Sequence, residues 1–298
     1  MTSAAQRIAQ YNREVGQPRG GLVGPELLTV TQLDDGYGEL DSTVENIRNV
    51  GPVVHYLSRL TGAFVSSQAE AREAAESIFR ASLAGARRLS DAGLFPEAQL
   101  DATESLQGFS LTTYADGVAS FELDERAVRA ACRLASYEIA QHAGVAWYDA
   151  ADTDRSPDST TVSHIIMMTE RTHDFLREHG PATAVEFSFT SGHEELEDEE
   201  TDGYLIALDG RDRDFITEEA VWAYKARSSP PSKDHLLRLL VHYLMGKESG
   251  LPQFLTQTHV GIFNPRTNAV YQLAVDDIPA DVIETVRRDV IGSGRIEP

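Results

Sequence analysis

The sequence predicts an α/β protein: a central mixed sheet of about five or six strands with helices on both sides, joined to a mainly helical N-terminal region. Three observations predict it. Apolar residues in the first third recur at helical spacing, as in Val44, Ile47, Val50, Val54 and Leu57. Near the C-terminus THVGIFNPRTNAVYQLAV reads as two apolar strands around a turn supplied by Pro and Asn. Between them strand-like and helix-like segments alternate, as in AVWAYKA followed by DHLLRLLVHYLMG.

In chain order, residues 4–15 read as a short helix, GQPRGGLVGP as a loop and LLTVTQL as a strand. Ser42, with Glu45 three positions on, has the form of a capping box opening a helix that Gly51-Pro52 kinks or divides. One helix is expected over 68–89. A loop or short helix follows, then a hairpin in FSLTTYADGVASFELD around Asp116-Gly117. Asp124 caps a strong helix over 124–144, with Glu138 near its end, and a further helix covers 162–179. ATAVEFSFTSG and GYLIALDG read as strands, with the acidic run HEELEDEETD between them as a solvated loop. After AVWAYKA comes a helix over 232–246, then the hairpin, then a last helix opened by Pro279 and stopped by Gly292. A division near residue 108 separates a helical region, 1–108, from a strand-rich remainder, 109–298.

Composition bounds the function. Hydrophobic residues make up 41% and charged residues 24% of the 298, ordinary for a globular chain with a sizeable core. No apolar run approaches the ~18 residues of a membrane span, and the first residues lack the apolar stretch of a secretory signal. The single cysteine, Cys132, excludes an internal disulfide and is expected in the core. A reducing, cytoplasmic setting follows as the expectation. The formal net charge is −21, and lysine occurs only at 225, 233 and 247, a bias that fits a salt-adapted or a GC-rich genome. Such a charge repels nucleic acid at long range. A nucleic-acid enzyme with this balance must gather its arginines locally, use divalent metal, work in high salt or lean on a partner. Walker loops, a G-x-S-x-G elbow, a glycine fingerprint and paired CxxC motifs are all missing from the sequence.

The stretch from Asp209 to Gly246 is where chemistry concentrates. Phosphodiester hydrolysis needs a nucleophilic water and a place for developing negative charge. A divalent cation held by two or three carboxylates supplies both, and a lysine can position the water. An acid two residues before a lysine on a strand shares its face. Asp212 and Asp214 stand beside a strand-like segment ending in Lys225, and a helix follows.

These residues resemble the RecB-type members of the PD-(D/E)xK nuclease superfamily, and an uncharacterised bacterial group within that pattern. DRDFIT, VWAYK, HLLRLLVHYLMG and VGIFNPRTNAVY carry the likeness, which covers about residues 212–291. The resemblance implies a restriction-endonuclease-like core, a nucleic-acid substrate, Mg²⁺ or Mn²⁺ as cofactor, and a role in DNA processing or defence. It places metal on Asp214 with Asp212 or Glu138 and makes Lys225 the residue that orients water; Arg238, Arg266 and Arg227 stand beside it as candidate nucleic-acid contacts. Three departures stand out. Ala223 occupies the position of the expected acid, Arg238 that of a glutamine, and Arg213 that of a glycine. Alanine binds no metal, so the site as written is expected to be crippled, unless Glu218, Glu219 or Glu138 supplies the missing carboxylate. The alternative is a non-catalytic pseudo-nuclease or interaction protein, with a protein partner and no membrane.

Overall fold

A computed structural model describes residues 4–185 and 214–292. Residues 186–192 of the strand expected over 182–192, the strand expected over 203–210, the acidic run and Asp212 lie outside the described residues.

The α/β expectation holds. Eleven α-helices run through the described residues: α1 Ala4–Glu14, α2 Val50–Thr61, α3 Gln68–Ile78, α4 Arg80–Asp91, α5 Ala98–Leu106, α6 Glu125–Ser136, α7 Glu138–His142, α8 Ala150–Asp154, α9 Ser159–His179, α10 Lys233–Ser249 and α11 Ala280–Thr285. Nine strands accompany them: β1 Thr29–Gln32, β2 Phe64–Val65, β3 Leu111–Thr113, β4 Ala119–Phe121, β5 Ala184–Val185, β6 Asp214–Ile216, β7 Ala220–Tyr224, β8 His259–Asn264 and β9 Ala269–Ala274. The large sheet has the order β1-β9-β8-β7-β6-β5, and the small one β2-β4-β3. All neighbours are antiparallel except β7 and β8, which run parallel. That pair needs a crossover, and α10 is the crossover helix. Among the described residues no helix is long and apolar enough to cross a membrane.

Local chemistry opens the helices. Asp124 accepts from Ala127 N to start α6, Asp158 from Thr161 N to start α9, and Ser232 from His235 N to start α10. The Ser42 box is different. Residues 42–44 form only a 3-10 turn, capped by Asp41, and the helix begins at Val50. Pro52 then falls in its first turn, where a missing N–H costs nothing. The helix expected over 68–89 breaks at Phe79, which is fully buried between Tyr56 (4.8 Å) and Phe109 (5.4 Å). The helix expected over 124–144 breaks likewise at Tyr137 into α6 and α7. Cys132 is buried in α6, and burial pushes its thiol up to about 12.

The sheet separates two cores because strand side chains alternate. Phe215, Trp222, Tyr224 and Phe263 face the layer of α2, α6 and α9. Ile216, Val221, Ala223, Val260 and Ile262 face α10, α1 and the terminal helical turns. The chain crosses residue 108 in both directions. Strand β1 closes one edge of the large sheet on β9, α1 packs on α10, and β2 pairs with β4.

Trp222 is the centre of the first core. It is fully buried, edge-on to Phe175 at 4.9 Å, and its indole N–H donates to Thr217 Oγ1 at 3.0 Å. Gly261 lies beside it on β8, and a Cβ there would sit 2.2 Å from Trp222 Cζ3. Gly261→Ala is therefore expected to destabilise the protein by about 1–3 kcal/mol through overpacking, read by urea denaturation.

Candidate functional site

The site forms where β6 and β7 meet α10. Asp214 pairs across the ladder with Ala223, so both side chains point to the α10 side. Lys225, two residues beyond Ala223, continues that face; its N–H still bonds Phe263 O at 3.0 Å. Helix α10 answers with His235, Arg238 and His242. They are spaced by three and four, and so share one stripe of the helix, interrupting the apolar run from Leu236 to Gly246.

Asp214 is 3% exposed. Arg238 Nη2 donates to its Oδ1 at 3.2 Å, and His242 Nδ1 donates to its Oδ2 at 2.6 Å. His242 is fully buried. Burial alone would raise the Asp214 carboxyl. The charge of Arg238, the bond and charge of His242 and the charge of Lys225 outweigh it, holding the group below the ordinary carboxylate value. Asp214 and Lys225 therefore act on one another over a common face, on which Ala223 is the direct cross-strand neighbour of Asp214.

Above this floor the site is basic. Burial, then the charges of Lys225, Arg238 and Arg227, push the half-buried His235 down to about 4. Its ring is neutral near pH 7, as its hydrogen bond requires, since Nδ1 accepts from Ser232 N at 3.2 Å. Arg227 is exposed, and its carbonyl accepts from Asn264 Nδ2 at 2.6 Å. Lys225 and Arg238 thus act on the buried carboxylate of Asp214, and with Arg227 they bring three of the chain's 26 basic residues to His235.

The remaining expected residues fall elsewhere. Glu138 is buried on α7, 3.3 Å from His142, in the layer that packs on α4 and α6. That layer lies on the other side of the sheet from α10. Glu219 faces His259 at 3.4 Å, and the carbonyl of Glu218 accepts from Thr256. Arg266, expected to meet phosphate, is instead 2% exposed. Its guanidinium grips Glu45 at 2.6 and 2.9 Å and also donates to Leu40 O and Ala226 O. The turn that carries Arg266 is held in place from several sides, so its guanidinium faces protein partners and not solvent. Arg171, also 2% exposed, donates to the carbonyls of Pro265 and Arg266 and to Asp35. Asn268, at φ 50°, donates to Leu33 O. The FNPRTN motif is thus a clamp, and through Ala226 and Arg227 it holds the segment just after Lys225.

As cation ligands at this site the described residues offer the Asp214 carboxylate, with both oxygens bonded, and the His242 imidazole bonded to it. Among them no group of three His, Cys, Asp or Glu stands together as a metal site would need. Comparisons with protein-family models, curated proteins and solved structures found no significant match to the chain. His235 and His242, seven positions apart, read from the sequence as helix-surface or packing residues sooner than ligands; the structure buries His242 against Asp214, a partner the sequence did not disclose. The stripe itself is legible in HLLRLLVHYLMG, where the polar positions 235, 238 and 242 keep helical period inside a buried helix.

Proposed function

We propose that this chain is a nuclease-derived protein that binds phosphate-bearing polymers, nucleic acid first among them, without cleaving them. One observation carries the reading. Asp214, the carboxylate that the PD-(D/E)xK resemblance assigns to metal, is held by Arg238 and His242 directly across the ladder from Ala223. Two of the departures complement each other. Ala223 removes a carboxylate, and Arg238 brings a positive charge to the one that remains. A divalent cation for hydrolysis takes two or three carboxylate oxygens, and the donors of the described residues do not fit it. The basic residues about His235 answer the electrostatic objection raised by a charge of −21, because they gather cations locally.

The test has two parts. Wild-type protein with single- and double-stranded DNA and RNA, in Mg²⁺ or Mn²⁺ and at low and high salt, is expected to bind without cleavage. On binding, phosphate offsets the charges of Lys225, Arg227 and Arg238, so the NMR titration midpoint of His235 is expected to rise from about 4. Lys225→Ala should weaken binding across all sequences and reduce the salt slope by about 1. A His235 midpoint that does not move in saturating oligonucleotide removes this assignment.

A second reading, an active metal-dependent nuclease, is favoured by the common face of Asp214 and Lys225. EDTA-sensitive cleavage by the wild type would establish it and overturn the first. Cleavage only in the Ala223→Asp/Arg238→Gln variant would support descent from a nuclease whose metal site has been replaced by an ion pair.

A further inference from the structure

Among the described residues the large sheet ends on β1, and that edge has no further strand beside it. Leu33 N–H donates to Asn268 O at 2.8 Å and continues the β1–β9 register. In an antiparallel ladder the bonded positions alternate. Thr29 and Thr31 therefore turn their N–H and C=O groups toward β9, and Val30 and Gln32 turn theirs outward. All four residues are exposed, Val30 to 56%. The Gln32 side chain bonds back to Thr267 O and Asn268 O, so it is spent on the hairpin turn. The usual guards of a sheet edge are missing from Thr29–Gln32. The strand holds no lysine, proline, glycine or carboxylate, and its register runs without a bulge.

The charges at its two ends point to the occupant. Residues 20–47 contain six carboxylates and no lysine or arginine. Asp35, Asp41 and Glu45 are engaged with Arg171, Thr43 and Arg266. Glu26, which precedes the strand, and Asp34 and Glu39, which follow it, are exposed. A second copy of this chain would set these acids against their own counterparts, and like charges across a strand pair are unfavourable. An extended segment with lysine or arginine at its ends meets the same edge with opposite charge. We propose that β1 receives such a basic segment from a protein partner, which adds to the large sheet as a seventh strand. Backbone bonds to Val30 and Gln32 supply affinity, and Glu26 and Asp34 select the basic ends. The edge lies three strands from β7, so this contact is separate from the site at α10.

The probe is the peptide acetyl-KKTVTVKK-amide, titrated calorimetrically into the full folded chain. Saturable binding to one site per chain is expected, weakening as salt rises. Acetyl-EETVTVEE-amide reverses the charge, and acetyl-KKTPTPKK-amide replaces amide donors by proline. Each should bind at least about tenfold more weakly. In hydrogen exchange followed by NMR, the Val30 and Gln32 amides should slow at saturating peptide, while that of Thr31 is slow from the start. Val30→Pro removes only an outward N–H and should weaken binding by at least about tenfold. Val30→Lys, which repels the probe, should do the same, and it carries the test if near-UV circular dichroism shows that Val30→Pro has lost its packing. Lys225→Ala should bind the peptide as the wild type does. Absence of saturable binding, equal binding of either control peptide or by Val30→Lys, or Val30 and Gln32 amides left unprotected would each overturn the proposal. So would a wild-type chain that sediments at higher mass than Val30→Lys, since a second copy would then hold the edge.

Discussion

Asp214→Ala is expected to destabilise the protein by about 3–5 kcal/mol, because it leaves Arg238 and the buried His242 without their carboxylate. In a chain of this size that corresponds to a fall in Tm on the order of 10 °C. The measurement is equilibrium urea denaturation in EDTA with an unchanged m-value. Its sign separates the two functional readings. Carboxylates gathered for a metal repel one another when the cation is removed, so deleting one stabilises the metal-free protein. A carboxylate that answers two cationic partners does the reverse. Stabilisation by Asp214→Ala in EDTA would therefore sink the ion-pair account. The pH dependence points the same way. The folded Asp214 carboxyl lies below its unfolded value of about 3.9, so its contribution is complete above that value. It is lost as pH falls through the lower, folded value. His235 works in the same direction over a higher window. Its folded value of about 4 lies below the unfolded value of about 6.5. The unfolded chain thus takes up that proton first, and stability declines as pH drops from about 6.5 toward 4.

Arg266→Met is expected to cost a similar amount, about 3–5 kcal/mol. It strands Glu45, whose side chain is 4% exposed, and removes the donors to Leu40 O and Ala226 O. The double variant Glu45→Leu/Arg266→Met should recover much of the loss, since a buried ion pair replaced by apolar groups of similar volume is often nearly neutral. A double-mutant cycle measures this directly. Equal and additive losses in the single and double variants would show that the two side chains do not act as a pair. Because His164 Nδ1 also lies 3.0 Å from Glu45 Oε1, recovery is expected to be incomplete. A second readout concerns the basic site. Arg266 and Asn264 hold the carbonyls of Ala226 and Arg227, so Arg266→Met should also weaken oligonucleotide binding although Arg266 itself is buried.

What the sequence disclosed follows from how far each interaction reaches. Caps are local, so Asp124 and Ser232 were readable as helix starts, and the NPRTN hairpin as a turn. The Ser42 box misled because Glu45 serves Arg266, 221 positions away, and is not free to cap. The helix over 68–89 looked continuous because apolar period persists through Phe79. The break lets that ring enter a cluster made with Tyr56 and Phe109 from other elements, which period cannot show. At the site, the common face of Ala223 and Lys225 followed from strand alternation, whereas Asp214 joins it only through the β6–β7 register. The partners of Asp214 were not legible, because they come from a crossover helix whose docking is set by the sheet. The turn arginine was read as a surface residue for the same reason. Its partners come from the N-terminal segment, and no local pattern announces them.

The Glu45–Arg266 bond also sets an order of events at the ribosome. At roughly 5–20 residues per second, the 221 positions between the two partners take roughly 10–45 s to synthesise. Throughout that interval the N-terminal segment has neither its arginine nor β9, the strand on which β1 must pair. Closure of the sheet edge and capture of Glu45 are therefore late, joint steps, and the emerging first forty-five residues wait outside the finished core until the turn that receives them has been made.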